Sequence, residues 1–181
     1  MKKIRLLPAV LSLVITGSVL FGGWFFYEVK TVKQPLRELL VQEKYVTHYE
    51  IDVTPKTVAI ELNVTPSFLL SQDYIRLLEQ AKEMSGREHV TITLKDKPNA
   101  RLYGAWSELY FLLAEGVETS DYYTMQERIE KHPATKSVET QVALDADHLY
   151  VWLQDASGTG KHSLFRTLPM TVGENRGGGN G

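Results

Sequence analysis

The stretch Leu6 to Tyr27, LLPAVLSLVITGSVLFGGWFFY, constrains this chain more than any other part of it. Its 22 residues carry no charge and follow Met1-Lys2-Lys3-Ile4-Arg5. Wound as an α-helix, the stretch rises about 33 Å, enough to cross a hydrocarbon core of about 30 Å. A cleaved signal peptide has a shorter apolar core followed by a small-x-small site. Here Gly22-Gly23 leads instead into bulky Trp24, Phe25, Phe26 and Tyr27. A chain without cysteine has no Cys to carry a lipid anchor. A core helix of a globular domain is rarely apolar on every face over such a length.

The sequence therefore predicts a single transmembrane anchor over residues 6–27, with Trp24 and Tyr27 in the membrane-interface belt. Lys2, Lys3 and Arg5 predict a cytoplasmic N-tail (1–5), an extracytoplasmic C-terminal domain and a location in the plasma membrane. Lys30, Lys33 and Arg37 on the other flank oppose that bias. Ser18 and Gly22 form a small-xxx-small pair suited to a helix–helix contact inside the membrane.

The rest of the chain is long enough for one ordinary domain with its own core. Residues 1–27 hold three of the 20 basic residues and none of the 22 acidic ones, so the part from Glu28 onward carries a net charge of −5. That balance, without a basic run, argues against nucleic acid as a partner. The lack of cysteine excludes disulfides, thiolate zinc sites and Cys nucleophiles.

Residues 28–46 read as a juxtamembrane helix or stalk with Pro35 in its first turn. Residues 47–172 read as the folded domain. Tyr49, Ile51 and Val53 alternate with polar neighbours, as do Val58, Ile60, Leu62 and Val64 beyond Thr54-Pro55-Lys56. Period-two alternation across a Pro turn predicts a β-hairpin with one wet face. Ser71 is read as the cap of a helix carrying Tyr74, Leu77, Leu78 and Ala81, which Gly86 ends. Val90, Ile92 and Leu94 form a third strand.

Asn99 caps a second helix over Ala100–Glu115, with Leu102, Ala105, Trp106, Leu109 and Leu113 on its apolar face and Gly116 at its end. Ser120 is read as the cap of a third, stopped by Pro133. Three strands follow, near Val138–Leu144, His148–Gln154 and Ser163–Leu168, and then a Gly-rich tail, 173–181, read as disordered. The two hairpins Tyr49–Leu62 and Thr140–Leu153 superpose at one offset of 91 residues, as two alternating patterns would. The fold class is α+β: a transmembrane helix, then one mainly antiparallel sheet of about six strands with three or four helices on one face. The overall plan resembles that of inner-membrane assembly proteins of pilus, secretion and sporulation machines, on architecture alone.

No catalytic, cofactor-binding or metal site is predicted. Residues 155–163, DASGTGKHS, lack the first Gly and the last Ser or Thr of a phosphate loop, and a strand follows where a helix is needed. The five histidines, His48, His89, His132, His148 and His162, show no i, i+4 spacing. Asp145 and Asp147 flank a tight turn, where Asp serves the backbone. The candidate partner surface is Tyr150, Trp152 and Phe165, placed opposite a core-facing row of Leu149, Val151 and Leu153. Helix or stalk cover over Tyr150 and Trp152 is the competing reading, with their strand central. The expected function is a protein-interaction or assembly module of a bacterial envelope, binding other envelope proteins or a second copy. A tethered ligand sensor or a tethered enzyme stand as alternatives.

Overall fold

A computed structural model describes residues 6–87, 89–155 and 162–170 of the chain, and the side chains of its first helix from Val10 to Gly23. Lys2, Lys3, Arg5, the side chains of Trp24 and Tyr27, most of the 155–163 loop and the tail 173–181 lie outside the described residues.

The first helix, α1, spans Leu6–Glu28. Among the described residues, however, no helix is long and apolar enough to cross a membrane. This corrects the transmembrane anchor, the signal-anchor orientation and the plasma-membrane location read from the sequence. Ser18 and Gly22 are exposed, and a Cβ built on Gly22 meets nothing within 4 Å.

A π-helical turn, Val29–Lys33, leads into α2, Gln34–Gln42, with Pro35 in its first turn. Leu36 and Leu40 of α2 are buried in the first core. Strands β1, Val46–Val53, and β2, Thr57–Val64, pair antiparallel, with a register shift between Val46 and His48. A π-helical turn, Leu70–Tyr74, precedes α3, Ile75–Ser85. The Asp73 carboxylate, not Ser71, accepts from the exposed backbone N–H at this start, that of Leu69 at 2.9 Å. Gly86 ends α3 at φ 58, a left-handed conformation that glycine adopts without Cβ strain. Strand β3, His89–Leu94, then pairs parallel to β2.

Helix α4, Ala100–Thr119, is capped by Asn99, whose Oδ1 accepts from Leu102 N–H at 3.0 Å. It runs past Gly116. Ser120 turns the chain out of it at φ 55, and Asp121 caps α5, Tyr122–Lys131, by accepting from Thr124 N–H. A 3-10 turn, Pro133–Lys136, leads to β4, Val138–Leu144. Strands β5, His148–Asp155, and β6, Ser163–Pro169, complete an antiparallel meander.

Among the described residues six strands form two sheets of three, ordered β1-β2-β3 and β4-β5-β6. This corrects the single sheet read from the alternation, and the first sheet is mixed rather than antiparallel. Alternation reports that a strand has two faces, not which strand lies beside it. The first core joins α2, α3 and the inner face of the first sheet to Ala143, Tyr150, Trp152 and Phe165 of the second. A second core joins α4 and α5 to the opposite face, through Leu149, Val151, Leu153 and Leu164. The layers run sheet, helices, sheet, helices. Strand β5 is buried without a break from Leu149 to Gln154, as the central strand of a sheet covered on both faces must be.

Candidate partner-binding surface

The aromatic residues read as a partner surface are interior, in line with the competing reading of a covered, central strand. Tyr150, Trp152 and Phe165 are 5%, 3% and 6% exposed. Tyr74 lies 4.6 Å from Tyr150 and 5.5 Å from Phe165 between ring centres, and Phe68 meets Trp152 edge-on at 6.3 Å. The segment from Phe68 into α3 folds over this face, and its aromatics fill the space the sequence left open. A ring as large as Trp152 is worth about 3–5 kcal/mol in such a site, so the cluster holds the sheets together rather than waiting for a partner.

Below the cluster the polar groups are paired. The Tyr74 hydroxyl donates to Ile92 O at 2.7 Å, and that of Tyr150 to Asp145 Oδ2 at 2.9 Å. Burial pushes both phenols well above the usual tyrosine range, so neither ionises near neutrality. Desolvation pushes the Asp145 carboxyl upward. The N–H groups of Asp147 and His148, the Tyr150 hydroxyl and Lys82 outweigh it and hold that carboxyl below its ordinary value.

Asp145, Asp147 and His148 bring three metal-capable atoms within 4.8 Å of one another. Both Asp145 oxygens are already engaged, and the Lys82 ammonium sits 3.3 Å from one of them. A fixed cation therefore occupies the electrostatic place that a metal ion would need. The histidines stay on separate elements. His48 faces Glu50 at 3.7 Å, His132 Nδ1 accepts from Ala134 N–H, and His162 Nδ1 lies 3.0 Å from Lys97 O.

The exposed aromatic surface lies elsewhere, on α4. Its inner stripe, Leu102, Ala105, Leu109, Leu113 and Val117, is buried on the second sheet. Its outer side carries Tyr103, Tyr110 and Phe111, which are 49%, 43% and 76% exposed. Half-buried Trp106 joins them at the stripe's edge, 5.7 Å from Tyr110, which in turn meets Phe111 at 5.6 Å. Gly104 has open space around it, and Ser107 turns its hydroxyl back to Tyr103 O at 2.9 Å, so the ridge between the rings stays low. Glu108 and Glu115 border it, Glu115 paired with Arg128 at 2.7 Å.

Sequence reading assigned Trp106 to the buried face and passed over Tyr103, Tyr110 and Phe111. The signal was present: positions 103, 106, 107, 110 and 111 form a second stripe at helical spacing. A helix with apolar groups on two faces has more than one neighbour core can cover.

Comparison with protein-family models, with curated proteins and with solved structures finds no match.

Proposed function

We propose that the folded part of this chain is a non-catalytic protein-binding module whose docking face is the outer side of α4. The observation that carries this reading is the set Tyr103, Tyr110 and Phe111, exposed beside half-buried Trp106 on a helix whose other side is used in the core. Large aromatics left in water lose the stabilisation that burial gives, at about 25 cal/mol per Å². Rings already held against one another lose little further freedom on docking. Tyr and Trp dominate the energy of protein interfaces, and charged groups of both signs, Glu108, Glu115, Arg128 and Lys131, border the rings as a polar rim. The ligand-sensor alternative needs a pocket lined by Tyr150, Trp152 or the histidines; the two aromatics are buried in the core, and the described histidines lie on separate elements.

The test is site-specific photocrosslinking in the native host from residue 111, with residue 50 on the open face of the first sheet as control. A discrete adduct from 111 that is absent from 50 is expected. Adding Tyr103→Ala and Tyr110→Ala should reduce its yield at least tenfold while stability stays within about 0.5 kcal/mol. Equal adducts at both positions, or a yield indifferent to the two substitutions, would overturn the reading.

A further inference from the structure

Each sheet has two edge strands, and three of the four edges are blocked against further pairing. On β1 the register shift near Val46 and the charged side chains of Glu50 and Asp52 discourage an added strand. On β3 the outward carbonyl of Ile92 accepts from the Tyr74 hydroxyl. On β6 the loop before α4 caps the edge: Lys97 N–H donates to Ser163 O at 3.1 Å, and Phe165 N–H to Asp96 Oδ2 at 3.2 Å. That strand also ends at Pro169.

Among the described residues strand β4, VETQVAL, has no contact of this kind on its outward backbone groups; the Gln141 side chain bonds Phe68 O and Leu70 N–H on the face toward the first core. Asp145 N–H donates to His148 O across the turn, which fixes the phase of the ladder. Ala143, Gln141 and Glu139 then bond to β5, while Val138, Thr140, Val142 and Leu144 direct their N–H and C=O groups away from it. Among the described residues those outward groups have no hydrogen-bond partner. Along the same edge runs a cavity of about 280 Å³ between β4 and α5, with Met125, Ile129, Val142 and Leu144 as its apolar lining and Gln126, Glu130 and Thr140 as its polar one. The Thr140 hydroxyl, buried on that side, also lacks a hydrogen-bond partner.

We infer that two copies of this chain pair β4 to β4, antiparallel about a two-fold axis at Gln141, into one six-stranded sheet. The strand is self-complementary in that register alone over its full length. Val138 lies opposite Leu144 of the second copy, and Thr140 opposite Val142. The single charge, Glu139, lies opposite Ala143. All four outward-facing residues then form hydrogen-bonded pairs, giving about eight backbone bonds across the axis. A register centred on Glu139 would set two carboxylates face to face, which is unfavourable. The side chains of Val138, Thr140 and Val142 from the second copy point to the α5 side, where Met125 and Ile129 supply apolar contacts and Gln126 and Glu130 can meet the Thr140 hydroxyl. This pairing is independent of what docks on α4.

The chain has no cysteine, so a single introduced one reports cleanly. At a non-hydrogen-bonded pair on the axis the Cα atoms stand about 4.5 Å apart, within disulfide reach. Full-length Gln141→Cys should form a disulfide-linked dimer under mild oxidation, at least tenfold above Glu50→Cys. Adding Val142→Pro, which deletes an outward N–H but no β5 bond, should abolish it. Adding Leu144→Lys, at a position already 42% exposed and therefore tolerant, should do the same with the circular dichroism unchanged. Crosslinking equal to the control, crosslinking that survives Leu144→Lys, or an adduct with a different protein in place of the dimer would each overturn the inference.

Discussion

Asp145 receives four hydrogen bonds, from the N–H groups of Asp147 and His148, the Tyr150 hydroxyl and the Lys82 ammonium. Together they link the β4–β5 turn to α3 and depress the carboxyl below its ordinary value of about 3.9. Because the folded value is the lower one, the ionised carboxylate stabilises the fold in full above about pH 3.9. That contribution is lost as the pH falls from there through the folded value. Asp145→Asn should therefore lower the urea midpoint at pH 7, and the gap from the wild type should close as the pH falls into the acid range. A gap that stays constant with pH would show that packing, not charge, is responsible. The role of Asp145 in the turn was legible, since Asp before a tight turn bonds the backbone two residues on. Its link to Lys82 was not, because nothing local ties residue 82 to residue 145.

The helix ends show which local signals survive folding. Asn99 and Gly86 act as their types predict, one through its side-chain oxygen and one through a positive φ. Ser71 and Ser120 do not, because an Asp close by, Asp73 or Asp121, supplies the stronger acceptor in each case. Gly116, read as a helix end, lies inside α4 because α5 crosses there. A Cβ at that position would lie 2.5 Å from Met125 Sδ and 2.7 Å from Met125 Cβ. The thioether can swing aside, but the Cβ is fixed by the α5 backbone. Gly116→Ala gains about 1 kcal/mol of helix propensity, against about 1–3 kcal/mol for overpacking. The expected outcome is a net loss of about 1 kcal/mol in urea denaturation, with Gly116→Val losing more. A stabilised Gly116→Ala would show that α5 can move away freely. Period-two patterns located the first five strands for the same local reason, and β6 was read from its place after the loop that follows β5. Alternation alone left open whether β5 is covered twice, and the unbroken run Leu149-Tyr150-Val151-Trp152-Leu153 is the cue for the reading of a covered, central strand.

At the scale of the molecule the two sheets form one body. Gln141 bridges to Phe68 O and Leu70 N–H, Asp96 reaches Arg166 and Phe165, and Lys82 reaches Asp145. Between these polar ties lies the aromatic cluster, supplied from both halves of the chain. Fragments 28–95 and 100–170 should each fail to fold cooperatively, since the second alone would expose Tyr150, Trp152 and Phe165. Strong binding of an apolar dye by each fragment, lost when they are mixed, is the expected result. A sharp thermal transition from either fragment alone would show that the halves are separate domains. Such long-range pairing is the part of the fold that no window of sequence contains.

The late arrival of Phe165 has a consequence in time. The first core is closed by side chains from residues 143–165, yet its own strands and helices end at Leu94. On the ribosome, at about 5–20 residues per second, the gap between Leu94 and Phe165 takes roughly 4–14 s to synthesise. For that interval Phe68, Tyr74 and their neighbours wait uncovered, and the nascent chain offers a binding site to any holdase near the exit tunnel.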